Sequence, residues 1–149
     1  MTKAEIARTC FGQGFSCSQA VFAAYAEDYG MDQEAALRVA AAFGGGLARS
    51  GGPCGAMSGA LMVIGLQHGM VSADAPQAKE HTYKIAQEFV ERFRAANGAV
   101  DCRELLGHDM STPEGRQAIK ETGVTKAICP KLVQSATEIL DEMLGAKTA

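Results

Sequence analysis

The stretch Gly44-Gly45-Gly46-Leu47-Ala48-Arg49-Ser50-Gly51-Gly52-Pro53-Cys54-Gly55-Ala56-Met57-Ser58-Gly59 constrains the fold more than any other part of the chain. A helical pattern stops at its first glycine. A loop with five glycines and one arginine follows. The stretch then passes, just after a proline, into an apolar helical pattern. Proline is favoured in the first turn of a helix, where its missing N–H would have had no partner. Pro53 therefore predicts that a helix runs from there to about Gln67, with Cys54 in its first turn, facing the loop. Free N–H groups and the positive dipole end favour a thiolate at such a place, so the expected pKa of Cys54 is low.

The other helices follow from caps and periodicity. Ile6 and Cys10 share one face of a short helix over 3–11, ended by Gly12 and Gly14. Ser16 is an N-cap residue that makes Cys17 the first helical residue of a helix reaching Tyr29, with Gly30 as its stop. Asp32 caps 33–43, whose face of Ala36, Leu37, Ala40 and Ala41 suits close packing. In the helix after Pro53, Gly55 and Gly59, like Ala56 and Ala60, are four apart and admit a neighbouring backbone. Gly65 weakens that helix, and close packing is the expected compensation. Asp74 is read as the cap of a long amphipathic helix to Asn97, buried through Ile85, Ala86, Phe89, Val90 and Phe93. Glu80, Lys84, Glu88 and Arg92 mark its solvated face with i,i+4 pairs. Asp101 opens Cys102–Leu106 and Thr112 opens 113–121. Pro130 as a first helical residue places Cys129 at the N-cap of the last helix, which ends at Leu144 before Gly145.

No strand pattern appears. The expected fold is all-α: one compact helical-bundle domain over residues 1–149, with about five main helices, short ones between them, and cysteines at helix N-termini. The length suits one domain with a proper core. The net charge of -3 comes without a basic stripe, which argues against nucleic acid as a partner. No apolar run approaches the ~20 residues a membrane span needs, and the N-terminus has no apolar signal core. The expected location is therefore the cytoplasm.

Five cysteines, Cys10, Cys17, Cys54, Cys102 and Cys129, are many for a cytoplasmic chain. No two form a CxxC, which weakens the zinc-ribbon and thioredoxin-like readings, and no CxxCH marks covalent haem. Cys10 reads as a small buried hydrophobe. The other four fall at predicted helix starts, and two uses fit that placement. Pairs of thiols can cycle between dithiol and disulfide, with a low-pKa thiol as attacker. Alternatively, Cys17, Cys54, Cys102 and Cys129 converge on a metal ion or iron–sulfur cluster. On the first reading Cys54 is the nucleophile, the other three are partners or resolving thiols, and no cofactor is needed. Gly45, Gly46, Gly55 and the cation Arg49 are the loop residues placed to meet a ligand or an anionic substrate. His108, close after Cys102, is a proton-donor or ligand candidate. A cysteine hydrolase would need a histidine base beside its nucleophile. A helical interaction protein with incidental cysteines is the third alternative. Turnover as a redox protein requires an electron partner that the sequence does not name, and the small-residue faces are compatible with a homodimer.

The motifs resemble those of a known family. Gly14-Phe15-Ser16-Cys17-Ser18-Gln19-Ala20, Phe43-Gly44-Gly45-Gly46, Cys54-Gly55-Ala56-Met57-Ser58-Gly59-Ala60, Cys102-Arg103-Glu104-Leu105-Leu106-Gly107-His108-Asp109 and Cys129 are similar, in this order, to the C_GCAxxG_C_C proteins. The resemblance covers nearly the whole chain. It implies that Cys17, Cys54, Cys102 and Cys129 act as one group, with Cys10 outside it, and that the group is redox-active. It implies no particular substrate.

Overall fold

The computed structural model describes residues 1–145. Among them eight α-helices form the architecture: α1 (Lys3–Gly12), α2 (Cys17–Ala26), α3 (Gln33–Ala40), α4 (Gly55–His68), α5 (Pro76–Asn97), α6 (Cys102–Leu106), α7 (Pro113–Thr122) and α8 (Val124–Leu144). Single 3-10 turns, Glu27–Tyr29 and Ala41–Phe43, extend α2 and α3. The fold is all-α and compact, as expected. The β pairing of the described residues is one isolated antiparallel bridge, Pro53 to Asp101. No helix among them is long and apolar enough to cross a membrane.

Helix α4 is the central element and packs against α2, α5 and α8. Its glycines are why α2 can lie so near. A Cβ on Gly59 would stand 2.7 Å from the Ser18 carbonyl oxygen, and one on Gly55 would stand 3.1 Å from the Ser18 nitrogen. The small-residue face is thus used within the chain. Around this contact the core closes with Phe22, Ile64, Phe89, Phe93 and Leu140, all essentially inaccessible to water. Full burial of each such side chain contributes about 1.5–3 kcal/mol.

Local chemistry fixes the start of α2. The Ser16 hydroxyl accepts the Gln19 N–H, and the Gln19 side chain accepts the Ser16 N–H at 3.0 Å, a complete capping box. Gln19 also donates to the Leu37 carbonyl, and buried Ser18 donates to the Ala40 carbonyl at 2.9 Å. The first turn of α2 is therefore tied to the last turn of α3.

Six local expectations are corrected. Pro53 does not begin α4: it lies in the bridge to Asp101, and Cys54 is the N-cap. Ala75, not Asp74, is the N-cap of α5, and no side chain caps that end. Asp101 stands at the N-cap of α6, but its side chain makes no capping bond. Pro130 does not open the last helix. That helix begins at Val124, directly after left-handed Gly123, and holds Pro130 in its interior. Cys129 is therefore mid-helix. Gly65 has open space where a Cβ would sit, so no close neighbour compensates it. On the solvated face of α5, Arg92 pairs with Glu88 at 3.3 Å and with Glu142 of α8 at 3.5 Å, whereas Glu80 and Lys84 form no ion pair among the described residues.

Candidate functional site

The loop between α3 and α4 is wound in an unusual sense. Gly45, Gly46, Leu47, Ala48 and Arg49 all have left-handed φ, between 50° and 70°. Three of these residues carry a Cβ, and left-handed backbone costs an L-residue roughly 1–2 kcal/mol. The coil is held from inside. Gly51 N–H donates to Gly45 O at 3.1 Å, Gly52 N–H to Gly46 O at 2.9 Å, and the Ser50 hydroxyl to Gly46 O.

The end of the loop is stitched to the chain around α6. Cys54 N–H donates to Val100 O at 2.8 Å, Cys102 N–H to Gly52 O at 2.7 Å, and Arg103 N–H to Gly51 O at 3.2 Å. These bonds surround the Pro53–Asp101 bridge and bring the starts of α4 and α6 together. The glycines permit it. A Cβ on Gly46 would stand 2.8 Å from the Cys102 Cβ and 2.5 Å from the Gly52 carbonyl oxygen.

Cys17 from α2, Cys54 from the N-cap of α4, Cys102 from α6 and Cys129 from α8 all line one cavity of about 930 Å3. That volume is in the range of small-molecule sites. Phe11, Phe15, Leu105 and Met110 supply apolar wall, and Arg49 and Lys126 are its charged residues. Cys54, Cys102 and Cys129 are buried, at 3%, 9% and 6% exposure, and Cys17 is partly buried. All five cysteines are free thiols. Cys10 stands outside the cavity, packed against the core.

Burial reverses the expected sign at Cys54. Loss of solvation pushes its thiol up to about 11, against the lowering by the Ala56 and Met57 N–H groups of the helix start. The helix-start effect is present and desolvation exceeds it. Cys102 is pushed up to about 12, first by burial and then by the neighbouring Cys54 and Cys129. The thiol displaced downward is Cys129, because its interaction with the neighbouring Cys17 outweighs the effect of burial. Cys17 is raised in turn, first by its interaction with Cys129 and then by burial. The two titrate as one unit, with Cys129 shifted toward the thiolate and Cys17 away from it.

Of the loop residues expected to meet a ligand, Gly45, Gly55 and Arg49 line the cavity, and Gly46 instead seats Cys102. No histidine lines it, so His108 is not brought to the thiols and none of them has an adjacent imidazole base. Among the described residues no group of three or more His, Cys, Asp and Glu side chains stands in a metal-holding arrangement. Two features escaped sequence reasoning. Lys126 lies three residues before Cys129, and a helix running through both would have revealed their shared face. Reading Pro130 as a helix start hid it. The left-handed φ of Leu47, Ala48 and Arg49 has no residue signature, since the glycines that announce such backbone precede it.

An all-helical fold that gathers four thiols from four elements into one cavity defines a cysteine-centred helical protein. Over residues 15–143 the chain matches the family described as "Putative redox-active protein (C_GCAxxG_C_C)", and it belongs to that family. No curated protein and no solved structure gives a significant match.

Proposed function

We propose that this protein performs thiol–disulfide exchange through Cys129 and Cys17, with Cys54 and Cys102 as a second, protonated pair of thiols in the same cavity. The observation that carries the reading is that Cys17 and Cys129 line one cavity, close enough for each to shift the other's ionisation. The thiolate is the attacking species, and the interaction with Cys17 favours it at Cys129. Cys129 thiolate attacks one sulfur of a substrate disulfide. The S–S bond breaks, one substrate thiolate leaves and is protonated, and a mixed disulfide remains on Cys129. Its negative charge is then gone, and with it the main cause that holds the Cys17 proton in place. Cys17 loses that proton and its thiolate attacks the Cys129 sulfur. The second substrate thiolate leaves, and the protein holds a Cys17–Cys129 disulfide. Two electrons have passed from protein to substrate, and a dithiol reductant reverses the sequence. A reducing compartment such as the cytoplasm would supply that reductant.

The test is equilibration of the reduced protein in thiol–disulfide buffers, followed by alkylation and peptide mass mapping. A Cys17–Cys129 linked peptide is expected, absent in Cys129→Ser. If none of the four thiols forms a disulfide at any poise, exchange is ruled out. Elemental analysis and absorption of anaerobically purified protein then address the other use of four thiols, a bound metal or cluster.

A further inference from the structure

The cavity has a one-sided charge pattern. Arg49 and Lys126 are cationic and no Asp, Glu or His lines the wall, although Asp101 stands close enough behind Cys102 to raise its pKa. The chain as a whole is acidic, at -3, so average composition does not explain a purely cationic lining. Both side chains are exposed. The ion pairs of the described residues engage Lys3, Arg38, Arg92 and Arg94, and neither cavity cation takes part in one. Arg49 also ends the left-handed run of the loop, and backbone strain of this kind collects at ligand clamps and active sites.

The depth of the thiols bears on the size of the substrate. Cys54, Cys102 and Cys129 are each under a tenth exposed, at 3%, 9% and 6%. A disulfide in a folded protein is flanked by its own backbone and does not enter such a recess. A small disulfide enters it, and the apolar wall of Phe11, Phe15, Leu105 and Met110 receives its body.

Resting on the exchange chemistry above, we propose that the substrate is a low-molecular-weight acidic disulfide, or the corresponding thiol in the reverse direction. Its carboxylate pairs with Arg49 and Lys126 while its sulfur meets Cys129. The electron count is that of the exchange: one substrate S–S bond breaks, the Cys17–Cys129 bond forms, and two acidic thiols leave with the two protons.

Three small disulfides of different charge test it: dithiodipropionate (anionic), hydroxyethyl disulfide (neutral) and cystamine (cationic). The rate of Cys17–Cys129 formation is expected to fall in that order. Arg49→Gln and Lys126→Gln should each slow dithiodipropionate, relative to the neutral compound, by up to about fivefold, the range of exposed ion pairs. Equal or faster reaction with cystamine overturns the proposal, as does a charge preference that survives in the double variant. Calorimetric binding of thiodipropionate, a thioether that cannot exchange, separates the two readings. If it binds through the two cations while no disulfide reacts, the ligand class stands and the exchange reading falls. If disulfides react without charge preference and thiodipropionate does not bind, exchange stands and the acidic substrate falls.

Discussion

Cys17, at the start of α2, and Cys129, in the interior of α8, line one cavity, where their interaction lowers the pKa of Cys129 and raises that of Cys17. Only one of the four cavity thiols is thereby shifted toward the thiolate. Alkylation of the native protein near neutral pH should label Cys129 first, with a rate midpoint below the ordinary thiol value of 9.0. Cys17→Ala should raise that midpoint and slow labelling at neutral pH by roughly tenfold or more, taking the lost interaction at the scale of a hydrogen bond to a charged group, about 1.5–3 kcal/mol. Peptide mapping after timed alkylation gives the order. First labelling at Cys54 would contradict the assignment.

Buried neutral thiols make a second prediction, at alkaline pH. In the unfolded chain Cys54 and Cys102 ionise near the ordinary value of 9.0, whereas in the fold they keep their protons up to about 11 and about 12. Their contribution to stability is complete below the unfolded pKa and is lost as pH rises through the folded values. For Cys54 it is on the order of 2–3 kcal/mol. Urea midpoints at about pH 8 and about pH 10.5 should fall less in Cys54→Ala than in the wild type. Equal falls would show that this thiol is not the source.

Two glycines of α4 should answer the same substitution with opposite signs. Gly59→Ala drives a methyl to 2.7 Å from the Ser18 carbonyl oxygen. Forced separation of α2 and α4 should cost about 1–3 kcal/mol. Gly65→Ala meets open space in the same helix and should stabilise by roughly 0.5–1 kcal/mol. Chemical denaturation of the pair decides it, and a loss of stability at Gly65 would mean an unrecognised contact.

Ala48→Gly relieves one residue of the left-handed run, at an exposed position with φ 50°. Relief of roughly 1–2 kcal/mol is offset by the greater freedom of glycine in the unfolded chain, about 0.4–1 kcal/mol. A net gain of up to about 1 kcal/mol is expected in thermal or denaturant unfolding. Destabilisation would show that the Ala48 methyl makes a contact worth more than the backbone strain.

Much of the helical frame was legible because its signals are local. Ser16 with Gln19, Asp32 with Ala35 and Thr112 with Gly115 make the expected cap contacts within one turn. The failures share a different character. Pro53 and Pro130 obey the rule for helix starts in isolation, yet Pro53 is claimed by a bridge to distant Asp101 and Pro130 by a helix that begins at Gly123. The grouping of the four cysteines was legible from their motif, and their ionisation was not. A helix start acts over one turn, whereas desolvation of Cys54 is set by walls from α2, α6 and α8, which no local pattern displays.

Cys17 and Cys129 lie near opposite ends of the sequence, so a bond between them would enclose most of the chain. On chain entropy alone, closing a loop of that size removes about 4–5 kcal/mol of freedom from the unfolded state. Thermodynamic closure requires the same quantity to appear in the bond. The folded pair should hold its disulfide about 100 mV more firmly than the same two thiols in the unfolded chain, at roughly 30 mV per 1.4 kcal/mol for two electrons. Heat and reductant then become interchangeable stresses: each kilocalorie taken from the fold makes the bond easier to open, and each shift toward reducing poise lowers the melting temperature.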